Sequence, residues 1–341
     1  MSLAPPIVLA LFAPAYSGAP GMASNDSAVF LLDANDHLTA LEASSGAVRW
    51  TADASVGEAL GADDKRVYAW GSNGGSTAIA FLDVNTGKRL LTSQPFTLPS
   101  ATAHGFVGAA LTIYAHIDSG ALAIEWTLTH HYGGGKSPGP ADVAAAAQRS
   151  SGTVLVDLAS GAVQQLAAAP PGAPAVALAP PLASAGYLTS ASWSVAPFVF
   201  DDVVTALALE RPASATGDST ISLVRRKRDT GAALPSVVLL RGRAPWSRLT
   251  LDGHHLMIIQ AVPIDAMPQE DRFRLIVALD SGAVVARLPY DGTNLGEALT
   301  VAGTRVVELG QGVVRAYDGD GRSLWEHASY APPQPRVIPY Q

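Results

Sequence analysis

The chain has no cysteine, which excludes disulfide bridges, thiol nucleophiles and thiolate metal sites. That absence leaves the compartment open, because a cysteine-free chain is tolerated in oxidising and reducing surroundings alike. Charge is also sparse. Charged residues make up 15% of the chain and the balance is acidic, at −7. A general nucleic-acid binder needs a broad basic surface, so the composition argues against that class. No Lys or Arg precedes Arg49, and no stretch reaches the roughly 18 uninterrupted apolar residues of a spanning helix. Among its 341 residues 48% are hydrophobic, which argues against disorder over most of the length and provides ample apolar surface for a core.

The N-terminus admits two readings. Residues 7–13 (IVLALFA) form a short apolar run, with Ala13-Pro14-Ala15 as a small-residue cleavage site. A secretory signal would also carry a basic segment, and Pro5-Pro6 stand where its helix would begin. The run is therefore either a strand of the fold or a signal or its remnant.

The most regular stretch is residues 38–50, LTALEASSGAVRW. It reads as an alternating strand, a tight turn ending at Gly46, and a second strand closed by Trp50. Weaker copies follow. Asp83 and Gly87 repeat the spacing of Glu42 and Gly46, GEAL recurs at 57–60 and 296–299, and Trp325 stands four residues after Gly321 as Trp50 does after Gly46. Turn glycines at Gly46, Gly87, Gly161, Gly231, Gly282 and Gly321 mark six units, over approximately 20–54, 56–94, 100–168, 194–241, 245–289 and 295–328. The echo of Asp280-Ser281-Gly282 at 118–120 suggests a degenerate seventh. Residues 106–117 and 121–132 read as a long hairpin, followed by an insertion at 132–151, whereas 170–181 is too proline-rich for a central strand. Four short strands per unit, repeated along one domain spanning 1–341, predict an all-β propeller of six to seven four-stranded antiparallel blades. A sheet that is apolar on both faces needs neighbours on both sides, so the first and last elements, near Ile7 and Glu326, are expected to meet.

The unit A-x-[DE]-x-x-[ST]-G-x-x-x-W, read at Ala40, Glu42, Ser45, Gly46 and Trp50, resembles the tryptophan-docking repeat of pyrroloquinoline-quinone-like β-propellers. The resemblance implies that a Trp of one blade packs on the small residue of a neighbouring motif. Elsewhere the tryptophan position holds Leu91, Gln165, Pro235 or Ala286, and the turns after the first carry Asp83, Asp280 and Asp318. Some members of that family are quinone-dependent dehydrogenases and others are cofactor-free scaffolds such as outer-membrane assembly lipoproteins. The missing cysteines, the smaller number of units and the lack of a matching calcium-ligand set place this chain nearer the scaffolds. The resemblance therefore implies no cofactor and a bacterial envelope or periplasmic location, with the cytoplasm still open.

Candidate chemistry is thin. His130-His131 precede Gly133-Gly134-Gly135-Lys136, and His254-His255 open another strand, but adjacent strand residues point to opposite faces and share a metal badly. The glycine run lacks the Ser or Thr of a phosphate loop. Acidic turns at Asp63-Asp64, Asp201-Asp202 and Asp318-Gly319-Asp320-Gly321 are explained by turn chemistry. No Gly-x-Ser-x-Gly elbow occurs. Charge clusters once: Arg225, Arg226, Lys227, Arg228, Arg241, Arg243 and Arg248 place seven of 22 basic residues within 24 positions, with Trp246 among them. This run is either a partner-binding patch for carboxylates or phosphates, or a solvated outer strand whose charges deter edge pairing. The expected function is a non-enzymatic, monomeric scaffold that presents loops to a protein or polymer partner, not to nucleic acid and without a transmembrane segment. The alternative is an enzyme, a hydrolase or lyase or a diverged quinoprotein, with its site at a central channel.

Overall fold

The computed structural model describes residues 22–53, 55–99, 107–118, 120–132, 149–166, 198–199, 203–210, 219–227, 229–242, 246–250, 255–260, 273–289, 298–310 and 312–328. Among them are 24 strands in six four-stranded sheets, each antiparallel and each taken in chain order. The first sheet holds β1 (Met22–Ser24), β2 (Ala28–Leu32), β3 (Leu38–Glu42) and β4 (Val48–Thr51). The second holds β5 (Ala59–Ala62), β6 (Arg66–Asn73), β7 (Ser76–Asp83) and β8 (Arg89–Thr92). The third is β9 (Val107–Asp118), β10 (Ala121–Tyr132), β11 (Arg149–Asp157) and β12 (Val163–Leu166). The fourth is β13 (Phe198–Val199), β14 (Val203–Glu210), β15 (Ser219–Lys227) and β16 (Val237–Gly242). The fifth comprises β17 (Trp246–Thr250), β18 (His255–Gln260), β19 (Phe273–Ala278) and β20 (Val284–Pro289). The sixth comprises β21 (Ala298–Ala302), β22 (Arg305–Gly310), β23 (Val313–Tyr317) and β24 (Ser323–Ala328). The 118–120 echo is the turn between β9 and β10 and belongs to the third sheet.

The sheets group into two compact units. One contains the sixth, first, second and third sheets, without the turn Tyr317–Arg322. Its layers follow from a period of two. In β2, Ala28 and Phe30 point into a cluster shared with Trp50, Val67, Ala69 and Leu82 of the first two sheets. Val29 and Leu31 point the other way, to Val307, Leu309, Val314 and Ala316 of the sixth. A strand buried on both faces reads as an unbroken apolar run, which is why AVFLL shows no alternation. The opposite faces of β6 and β7 carry Tyr68, Ile79 and Phe81 into a third cluster, with Ile113, Leu122, Ile124 and Val156 of the third sheet. The first and sixth sheets meet. The contact is made by β1 against β21, where the Ser24 and Thr300 hydroxyls lie 2.7 Å apart and Ser24 Oγ donates to Val301 O at 2.7 Å. Ile7 lies outside the described residues.

The other unit contains the fourth and fifth sheets and the turn Tyr317–Arg322. Leu223 of β15 and nearly all of β19 are buried, and the Arg287 guanidinium lies 3.9 Å over the Phe273 ring.

The turn before each fourth strand is the repeated device. All six marker glycines take positive φ, between 67° and 79°, a region costly for residues with a Cβ. In the second and third sheets an aspartate caps the turn. Asp83 Oδ1 accepts from Asn85 N, Thr86 N and Thr86 Oγ1, and Asp157 Oδ1 from Ala159 N, Ser160 N and Ser160 Oγ. The hydrogen bonds from Thr86 and Ser160 hold both carboxyls below the usual aspartate range. Four outer strands, β4, β8, β16 and β20, carry a one-residue bulge, at Arg49, Leu90, Leu239 and Val285 respectively. Bulges twist an exposed edge away from pairing with another sheet.

Candidate interaction surface

Two tryptophans tie sheets together. Trp50 is 8% exposed on β4, and its indole Nε1 donates to Val84 O in the turn of the second sheet, at 2.9 Å. Its ring covers Gly87 so closely that a Cβ there would lie 2.5 Å from Trp50 Cε3. Trp325 of β24 repeats the contact on the first sheet, donating to Ala43 O at 3.0 Å over Gly46. With these turns locked, the loops at the opposite end of the first and second sheets are held on a rigid base.

At that end the second strand of each sheet turns into the third. In the first sheet this connection is residues 33–37, where Asp33 Oδ1 accepts from Asn35 N and His37 N. In the second it is the exposed hairpin 73–76, whose Gly74 and Gly75 both have positive φ. In the third, β9 and β10 run on past the other strands. Their pairing continues through His130↔Ala109, His131↔Gly108 and Tyr132↔Val107, three pairs beyond the last residue matched by β11. A two-stranded ribbon thus leads out to the insertion, whose residues 133–148 lie outside the described ones.

The basic run is divided by the strand pairing. Adjacent residues of β15 face opposite sides of its sheet, and Arg225 and Arg226 both bind backbone. Arg225 Nη1 donates to Asp280 O at 3.2 Å and its Nη2 to Pro235 O at 3.4 Å, while Arg226 Nη1 donates to Gly231 O at 3.0 Å. Lys227 and Arg241 are exposed. Arg241 pairs with Thr220, seven residues before Lys227 on β15, so the two cations stand about 23 Å apart along the strands. Arg228 and Arg243 lie outside the described residues, and Arg248 sits in β17 opposite Ile258.

His130 and His131 occupy successive positions of β10, and His255 begins β18 opposite Ala278. His254, Asp201 and Asp202 lie outside the described residues. Asp63 caps a turn by accepting from Lys65 N and Arg66 N and also accepts from the Tyr68 hydroxyl; burial first, and this bond second, raise the phenol pKa. Asp318 accepts from Asp320 N and Arg322 N. Both acidic turns thus use their carboxylates locally.

Two features were not anticipated from sequence. Glu125 on β10, paired with Tyr114 and Thr153, is pushed up to about 7 by burial. Five of the six outer strands each expose one large apolar side chain: Val48, Leu90, Val238, Val284 and Leu324. The alternation of alanines before Glu125 was the available signal for the first. The second depends on where the outer strands turn their faces, which the bulges alter.

Stacked four-stranded sheets with indole-to-turn ties define a tryptophan-docking β-propeller repeat protein. Residues 9–178 match the family model described as outer membrane protein assembly factor BamB, and over that stretch the chain is a member of the pyrroloquinoline-quinone-like β-propeller repeat family. Similar solved structures include BamB from Moraxella catarrhalis, at 15% identity and a TM-score of 0.29, covering 92% of this chain and 77% of that one. The computationally designed Ika8 protein is similar at 12% identity and a TM-score of 0.34, covering 92% and 89%. None of the curated proteins matches the sequence.

Proposed function

We propose that this protein is a non-enzymatic binding scaffold of the cell envelope, contributing to the assembly of outer-membrane proteins. The observation that carries the reading is the match of residues 9–178 to an assembly-factor family. The ribbon of β9 and β10 supports it, since it extends beyond its own sheet and leads to the insertion. A rigid repeat with loops on a fixed base suits binding, because little ordering entropy is lost when a partner docks. Lys227 and Arg241 supply separate positive points for a partner that carries carboxylates.

Quantitative co-purification from envelope extract tests the proposal. The expected result is a stoichiometric outer-membrane assembly component, recovered less well with Lys227→Glu/Arg241→Glu. Recovery of the chain alone from mildly cross-linked envelope would overturn it.

A further inference from the structure

Only two of the six repeats place a tryptophan four residues after the turn glycine, yet in the third sheet the corresponding turn carbonyl is engaged without one. The acceptors for Trp50 and Trp325 are Val84 O and Ala43 O, each three residues before its turn glycine. In the third sheet the corresponding carbonyl is Leu158 O, before Gly161. The docking position facing it is Leu91, which covers Gly161: a Cβ on that glycine would lie 3.2 Å from Leu91 Cδ2. Leucine fills the space over the glycine but has no N–H. The donor comes from a different strand, because Arg66 at the start of β6 gives Nη1 to Leu158 O. Its guanidinium carbon also lies 6.0 Å from the centre of the Phe81 ring.

We propose that Arg66 and Leu91 together form a split tie that does the work of one docking tryptophan, leucine supplying the apolar cover and arginine the hydrogen bond. The fourth and fifth sheets show a related pairing, on the neighbouring turn carbonyl and with the cover supplied by other strand positions. There the docking position is Pro235, again without a donor. Gly282 is covered by Val237 and Leu223, at 2.9 and 3.2 Å from a Cβ placed on it, and Arg225 Nη1 donates to Asp280 O, two residues before the glycine. Two independent junctions thus pair an aliphatic cover with an arginine donor. Arg225 belongs to the fold on this account, and charge reversal there would disturb a turn before it disturbed a partner.

The split predicts non-additivity, because one carbonyl serves either donor. Hydrogen exchange of the Gly161 amide, which bonds Asp157 O at 2.9 Å, reads the turn directly in the full chain. Arg66→Met keeps the aliphatic stem and removes the donor. It should speed exchange of that amide at least tenfold, in keeping with loss of a charge-assisted bond, while the Gly87 turn is unaffected. Adding Leu91→Trp to Arg66→Met should restore most of the protection, whereas Leu91→Trp alone should add none. Arg225→Met provides a second readout at Gly282, where exchange should rise in the same way. Unchanged exchange at Gly161 and Gly282 in the two Met variants would overturn the proposal, as would a Leu91→Trp effect independent of residue 66.

Discussion

Replacing Trp50 by Phe is the most informative perturbation of the repeat. The substitution keeps an aromatic ring over Gly87 and against Phe30, whose ring centre lies 5.8 Å from that of Trp50. It deletes the indole N–H that meets Val84 O at 2.9 Å in a buried position. An unsatisfied buried carbonyl costs about 1–3 kcal/mol, and the smaller ring removes roughly 40 Å² of contact, about 1 kcal/mol at the usual area coefficient. The total is about 3 kcal/mol. Trp50→Ala adds a cavity and should cost about 5 kcal/mol. Trp325→Phe loses an equivalent bond from a more exposed ring, so its cost should be smaller, about 1 kcal/mol. Urea unfolding followed by far-ultraviolet circular dichroism gives the three values on one scale, provided the slopes agree. The reasoning fails if Trp50→Phe costs less than about 0.5 kcal/mol, or if Trp325→Phe costs more than Trp50→Phe.

Two further outcomes follow from single positions. Gly87→Ala combines a positive φ of 68° with a Cβ only 2.5 Å from the Trp50 ring, and should cost about 3 kcal/mol. Gly74→Ala, with a φ of 61° but nothing within 4 Å of the new Cβ, should cost about 1 kcal/mol; equal losses in urea melts would contradict the tie. Burial raises the Glu125 carboxyl from about 4.5 to about 7, so the folded state holds its proton where the unfolded state releases it. Stability from this group is therefore full below pH 4.5 and declines as pH rises towards 7, by about 3 kcal/mol at most. Glu125→Gln should remove that part of the decline between pH 5 and pH 8, and an unchanged slope would refute the assignment.

Much of the repeat was legible because its signals are local. A turn glycine needs positive φ, and a tryptophan four residues later needs a partner, so Gly46 with Trp50 and Gly321 with Trp325 could be read directly. The long hairpin was legible from two apolar runs around one glycine. The ties through Arg66 and Arg225 were not, since no spacing in the chain tells which neighbouring turn a guanidinium reaches. The spacing within the basic run is set by strand pairing in a related way. Seven charges within 24 positions look contiguous, but an antiparallel return sets Arg241 beside Thr220 instead of beside Lys227. The exposed Val48, Leu90, Val238 and Val284 were hidden by the bulges of their strands, which shift which side of the sheet a residue takes.

The most direct test of the scaffold account is site-specific photo-cross-linking in living cells. A photoreactive residue would replace Asn35 or Ser76, in the exposed connections between second and third strands, or Val48 or Leu324 on the outer strands. The account predicts that Asn35 and Ser76 cross-link to one and the same envelope assembly protein while Val48 and Leu324 do not. Cross-links confined to the outer strands, or none from any of the four positions, would contradict it.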